Sequence, residues 1–427
     1  MVIFDLISDL LMKNTSSYNI LKYSLIAFPL AFAGIPVYLH APDYYSSIVG
    51  IRIEIIGFAL LLLRLLDAFL DPLIGRVSDQ YFKYRDKIIY FGSLLLVVGF
   101  WMIFHPLKSN IVSWFALSIF ICTLGFSIIA INIQAFGGLW DIPRVQVTKA
   151  VVTREAIGLV GLLIASITPT ILYLFYREDN FHILSIILIL VMLVSLIVFK
   201  SWFDSSEIRS PDKSSLKEPI KNIFAKQQTM LFFITYFFST FAAAIPATLI
   251  IFYVRDYLIA EQYLGMFLLV YFTSGALSMP LWKTAAVRTS CMKAWFYGMI
   301  FALFSFFWAF FLQPNNILGF FIICFFSGMA VGANLALPSA IIAEFINSNK
   351  DENYAASYYS ISNFLSKFSL AIASGIALPI LGFMGYVPGI AREDYLFPFT
   401  YAFLPCFFQI VAILLLRKLI FQKSLSE

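Results

Sequence analysis

The stretch LLLRLLDAFLDPLIGRVSDQ, residues 61–80, decides how this chain is read. It is a run of leucines that carries Arg64, Asp67 and Asp71 before the chain turns polar. At about 100° per residue, a helix places these three charges within roughly 60° of one another, as one polar stripe. A charge at the centre of a hydrocarbon layer costs roughly 2.5–3.5 kcal/mol on insertion scales. Two acids and a base on one apolar segment therefore need a protein interior or a water-filled cavity. Arg64 and Asp67, three residues apart, are placed to pair, which leaves Asp71 with unmatched charge. A plainer reading has Asp71 and Pro72 merely ending the helix, but it does not explain Arg64 and Asp67. The stripe reads as a cation or proton site. Paired carboxylates hold a hard cation through oxygen, or share a proton because like charges close together raise one pKa.

The rest of the chain puts that segment in a membrane. Of 427 residues, 61% are hydrophobic and 12% charged, against about 25% charged in soluble domains; mean hydropathy is +0.88. The apolar residues come in blocks of about 20, the length of a membrane-crossing helix. The runs are continuous, which excludes the alternating strands of a membrane β-barrel. Twelve spans are expected, at 18–39, 50–74, 88–105, 111–136, 153–175, 181–200, 229–254, 262–283, 293–312, 317–344, 354–383 and 397–420. The fold class is an all-α membrane protein in two six-helix halves, 1–200 and 229–427, joined by a Ser- and Lys-rich linker at 201–228. DPLIGRVSDQYFKYRDKIIYFG after span two and MPLWKTAAVRTSCMKAWFYG after span eight form a faint repeat, each ending in a glycine, Gly92 and Gly298. Two such halves with a site between them are a transporter architecture.

An even number of spans puts both termini on one side. That side receives 22 of the 29 Lys and Arg residues, the other side five. By the positive-inside rule the termini and linker are cytoplasmic, and the protein is a multi-pass protein of the cytoplasmic (inner) membrane. The basic excess is a topology signal and not a nucleic-acid footprint. The opening MVIFDLISDLLMKNTSSYN lacks a basic region before its apolar residues, so it is not read as a cleaved signal; it suits a short surface helix or a frayed end. Cys122, Cys291, Cys324 and Cys406 show no metal-ligand spacing and read as small core residues. His40, His105 and His182 fall at the outer ends of spans, which argues against a histidine proton relay. No nucleotide-binding Gly-Lys loop or HExxH stretch occurs. An ATP-driven pump and a membrane enzyme are disfavoured, no metal site or cofactor is expected beyond a coupling H⁺ or Na⁺, and no loop is long enough for a signalling domain.

RLLDAFLDPLIGRVSD resembles the second-helix signature of the glycoside–pentoside–hexuronide:cation symporters, the melibiose-permease-like branch of the major facilitator superfamily. YYSSIVGIRIEIIG (44–57), REAIGLVGLLIA (154–165), ALPSAIIAEFIN (336–347) and YYSISNFLSKFSLAIASGIALPILGFMGYVPG (358–389) resemble further parts of that branch, in order along the chain. The resemblance implies a twelve-helix fold and uptake coupled to Na⁺ or H⁺. It matches Asp67 and Asp71 to the cation-site acids, and Arg64, Arg154 and Lys367 to the branch's charge partners. Leu70 stands where melibiose permease has an Asn beside the second acid, which favours H⁺ over Na⁺. Ala31 and Asn132 stand where that permease has its two sugar-binding acids, so the likeness does not extend to a galactoside.

Gly75, Asp79 and Arg85 fit the superfamily's gating loop between helices two and three; an ordinary solvated loop is the alternative. Tyr359, Asn363 and Lys367 form an i, i+4, i+8 polar column, with Lys367 too deep in its span to snorkel. Asn132 and Gln134 interrupt span four and either contact substrate or bond across helices. Tyr18, Tyr23, Tyr38, Tyr44 and Tyr45 are candidates to line a sugar-stacking cavity. The expectation is a monomeric, cation-coupled symporter of a small polar solute, a sugar or glycoside, with an amphiphile or lysolipid carrier as the alternative.

Overall fold

A computed structural model describes residues 15–107, 110–176, 180–210, 219–383 and 396–426. The expected N-terminal surface helix at 1–14 lies outside them, as does the end of the family-like stretch after residue 383. Among the described residues twelve long helices follow in order: α1 (Ser17–Tyr38), α2 (Ile53–Gln80), α3 (Arg85–Phe104), α4 (Ile111–Leu139), α5 (Arg144–Tyr176) and α6 (Asn180–Ser205). Then come α7 (Gln227–Phe252), α8 (Leu264–Arg288), α9 (Cys291–Phe307), α10 (Ile317–Asn349), α11 (Ala355–Phe383) and α12 (Leu404–Ser426). Ten of them are long and apolar enough to cross a membrane among the described residues. The other two, α2 and α11, are 28 and 29 residues long and hold the sequence's charged stripe and polar column.

The helices divide into two compact units. Unit 1 is residues 1–219 together with Ile342–Ile361; unit 2 is Ile220–Ile341 with Ser362–Glu427. The main division falls inside the stretch read as the linker. The α10–α11 connection, which sequence order alone assigns to the second half, packs with unit 1.

Prolines shape several helices. Pro29 has no N–H and crowds the carbonyl four residues back, at Leu25, and α1 is there divided by a turn between Thr15–Ser24 and Ala27–Ile35. Pro72, Pro246, Pro280 and Pro338 instead lie inside continuous helices.

The faint repeat becomes definite in the backbone. In unit 1 the chain leaves its first helix through hydrogen bonds Val49 N to Tyr44 O and Ile51 N to Tyr45 O; in unit 2 Leu258 N donates to Tyr253 O and Ala260 N to Val254 O. Gly50 takes φ +82° at this reversal, and Ile259 takes φ +53° at the matching place. Asn110 and Asn315, just before α4 and α10, are a second matched pair with φ 54° and 63°. A Cβ on Gly92 would meet Ile128 of α4 at 2.7 Å, and one on Gly298 would meet Ala333 of α10 at 2.5 Å. The same residue thus allows the same close helix approach in each unit.

Candidate transport site and gate

Helix α2 has two faces of opposite character. Phe58, Leu62, Leu66, Phe69, Leu73 and Val77 are exposed; their three- and four-residue spacing makes one apolar face, suited to lipid tails. Asp67, Ala68, Asp71, Gly75, Ser78 and Asp79 are buried on the other face. The polar face is turned into protein, the reverse of a soluble helix. Asp71 is completely buried and Asp67 is 5% exposed. Asp67 Oδ1 accepts a 3.0 Å hydrogen bond from Ser127 of α4.

Arg64, read as a partner for Asp67, meets the end of α1. Its guanidinium lies 5.1 Å from the ring centroid of Tyr38, a cation–π contact, and Arg64, Asp67 and Asp71 all lie within electrostatic reach of Tyr38. Nor does the Asp71–Pro72 pair end the helix, which continues to Gln80. Neighbouring helices in a bundle compensate the hydrogen bond that an internal proline removes.

Eight residues beyond Asp71, about 12 Å along the axis, the same face carries a fully buried ion pair. Arg85 Nη2 is 2.9 Å from Asp79 Oδ1. Asp79 also accepts the backbone N–H groups of Ala356 and Ser357, each at 2.8 Å. These are first-turn amides of α11, donors without partners inside their own helix, and a carboxylate there also meets the positive end of the helix dipole. Arg85 Nε donates to Ser78 Oγ at 3.0 Å, and Ser78 donates onward to Asn132 Oδ1 at 2.5 Å. Asn132 Nδ2 completes the chain on Ile128 O at 2.7 Å. The Arg85 guanidinium also lies over the rings of Phe82 and Phe136, at 4.8 and 5.7 Å. Burial of an ion pair is costly unless such additional bonds satisfy both partners.

Gly75 and Asp79, expected in a loop, are in the last turns of α2. Gly75 is required there by closeness: a Cβ would clash with Ser360 Oγ and sit 2.9 Å from Ala356 O. Further contacts hold the α10–α11 connection on unit 1. Arg144 Nη2 pairs with Glu344 at 2.7 Å. Arg209 Nε reaches Asp141 at 3.1 Å and its Nη1 donates to Asn347 at 2.5 Å. Arg209 is placed by a short antiparallel bridge between Trp140 and Ile208, with Asp141 N donating to Glu207 O and Arg209 N to Leu139 O.

A third cluster surrounds Arg154. It pairs with Glu155 at 2.5 Å and its Nη1 donates to Tyr23 Oη at 3.0 Å; Tyr23 donates to Ile133 O at 2.9 Å. Tyr359 is fully buried, within electrostatic reach of Arg154 and Tyr23, and a Cβ on Gly138 would lie 3.1 Å from its hydroxyl. Gln134 carries a buried amide oxygen with no hydrogen-bond partner among the described residues. In unit 2, Asn363 and Lys367 are half-buried on α11, beside positions where Ser366 and Ser369 hydrogen-bond Tyr236 and Thr240 of α7 at 2.6 and 3.0 Å.

The family model of the MFS/sugar transport proteins matches residues 22–420, nearly the whole chain. The chain belongs to that family. It is therefore a transporter and not an enzyme, and its helices form the major facilitator fold. Two solved structures share the architecture of this MFS transporter. A bacterial homologue of the iron transporter ferroportin, in an outward-facing state, aligns with TM-score 0.73 at 13% identity, over 95% of this chain and 99% of that one. The E. coli fucose:proton symporter FucP aligns with TM-score 0.67 at 13% identity, with the same coverage. At such identity the likeness is one of fold.

Asp67, Asp71, Gly75 and Asp79 thus share one face of α2, Arg85 of α3 pairs with Asp79, and Asn132 joins them through Ser78. Arg154 and Tyr359 gather around Tyr23 instead. Sequence reasoning missed Ser78, Ser127, Arg144, Glu344, Arg209 and Asn347. Ser78 had a local signal, since it precedes Asp79 on the buried face; the others are joined across long sequence separations.

Proposed function

We propose that this MFS transporter is a cation-coupled symporter of a small polar solute, a sugar or glycoside, with H⁺ favoured over Na⁺. The observation that carries the reading is the pair Asp67 and Asp71, buried on the protein-facing side of an otherwise lipid-facing helix. Two carboxylates one turn apart disfavour double ionisation, so binding a proton relieves repulsion between them. Leu70 supplies no oxygen beside Asp71, which weakens the case for a hard cation that needs several oxygen ligands. Gln134, Tyr359 and Asn363 are the proposed substrate contacts; an unsatisfied buried amide oxygen such as that of Gln134 is where a solute hydroxyl would donate. Lys367 and Arg154 are proposed as coupling charges. Of the two readings of Asn132, substrate contact or a bond across helices, the second is better supported, as part of the gate, because Ser78 occupies its oxygen.

The gate is the Asp79–Arg85 pair with its hold on the first turn of α11. With the termini cytoplasmic, as the basic residues imply, this gate closes the cytoplasmic end. Protein reconstituted in vesicles and offered a sugar panel should accumulate its solute under an imposed pH gradient. Asp67→Asn and Asp71→Asn should abolish that accumulation. Uptake that requires a Na⁺ gradient would overturn the choice of proton, and normal accumulation in both variants would overturn the site.

A further inference from the structure

At the opposite end of α3 from Arg85 lies a pair of histidines that the transport reading does not use. His105 caps the C-terminus of α3 and His182 lies in the first turn of α6. His105 Nε2 and His182 Nδ1 are 2.9 Å apart. The His105 ring is fixed: it stacks on Trp101 with centroids 3.9 Å apart and planes 6° from parallel, and its Nδ1 lies 2.8 Å from the Trp101 carbonyl oxygen. A carbonyl only accepts, so Nδ1 carries the proton and Nε2 presents a bare lone pair to His182. His182 must then donate its own Nδ1 proton across the pair.

We propose that His105 and His182 form a two-imidazole site for a borderline transition-metal ion, of the class of Zn²⁺, Ni²⁺ or Cu²⁺. If the His182 proton moves to its own Nε2, two lone pairs face each other and the ion takes the place of the shared hydrogen. No proton is lost overall, because His182 only changes tautomer. Metal–imidazole bonds of about 2.0–2.1 Å at a tetrahedral angle separate the two nitrogens by roughly 3.3–3.4 Å. The rings need part by only about 0.4–0.5 Å from their present 2.9 Å. His182 is exposed and His105 half-buried, so the ring of His182 can make that shift and waters can complete the coordination. The His105 N–H directed at the Trp101 carbonyl fixes the tautomer and ring orientation, as the hydrogen-bond partners of metal-ligating histidines ordinarily do. An occupied site staples the end of α3 to the start of α6.

The test uses the full chain with any affinity tag removed. Cu²⁺ titration followed by electron paramagnetic resonance should show one ion per chain, split by two imidazole nitrogens. Zn²⁺ should raise the unfolding temperature. His105→Ala and His182→Ala should each weaken binding at least about tenfold, or 1.4 kcal/mol, and remove the Zn²⁺ response. His105→Gln, which retains a hydrogen-bonding side chain, controls for lost packing and should behave like His105→Ala toward metal. Wild-type protein that takes up no Cu²⁺, or a Zn²⁺ response that survives in His105→Gln and His182→Ala, would overturn the site.

Discussion

Asp79→Ala is the sharpest perturbation of the proposed gate. Arg85 has no exposed surface, and Asp79 is its ion-pair partner at 2.9 Å. Removing one member of a buried pair costs about 3–5 kcal/mol, because the other charge is left uncompensated. The amides of Ala356 and Ser357 lose their acceptor at the same stroke, and each buried orphan costs a further ~1–3 kcal/mol. The start of α11 can escape both penalties by lifting from α2, where water replaces the lost partners. The packed arrangement should therefore lose about 3–5 kcal/mol relative to the lifted one, a shift of roughly 10²–10⁴-fold at 1.4 kcal/mol per tenfold. Hydrogen exchange of residues 355–361 in the purified protein reads this directly, with protection falling by a comparable factor. Asp79→Asn keeps an acceptor and should fall between wild type and alanine. Asp79→Ala combined with Arg85→Met removes both charges and should recover most of the protection, since buried pairs are often replaceable by apolar residues at little cost. Unchanged protection in Asp79→Ala would refute the reasoning, as would a double variant no better protected than the single one.

Lys367→Ala should abolish uphill accumulation while solute exchange across vesicles persists; loss of both would make Lys367 a substrate ligand, and normal accumulation a bystander. Ile259 is a β-branched residue held at φ +53°, a region that costs L-residues about 1–2 kcal/mol and suits the glycine found at the matching Gly50. Ile259→Gly should therefore raise the unfolding temperature, by roughly 2–4 °C for each kcal/mol relieved; an unchanged or lower value would show that the turn is not strained. A reporter fused after Glu427 should read cytoplasmic and one inserted at 177–180 external, and reversed readings would overturn the orientation.

The α2 segment shows how far the sequence could be read. Its charges announced a buried face, because no other arrangement of Asp67 and Asp71 on so apolar a helix is tolerable in lipid. Its length past Pro72 was not legible, because the local rule for proline is overridden by the neighbours that pack around the helix. The repeat was legible as a resemblance of Gly92 and Gly298, but the matched reversals at Gly50 and Ile259 were hidden, one position being glycine and the other isoleucine. The partners of Asp79 lie 277 and 278 positions away. Being backbone amides, they leave no residue type by which a sequence could announce them. Asn132 left two readings open for a related reason: a buried amide looks alike whether it meets a solute or a neighbouring serine.

The small bridge at Trp140 and Ile208 gives unit 1 a clasp on its own chain. Because Arg209 is pinned to Leu139, Asp141 and Asn347, one side chain holds the stretch after α6 to the end of α4 and to the end of α10 together. Arg209→Ala should therefore loosen both attachments at once, and hydrogen exchange of the Asp141 and Arg209 amides would read the loss.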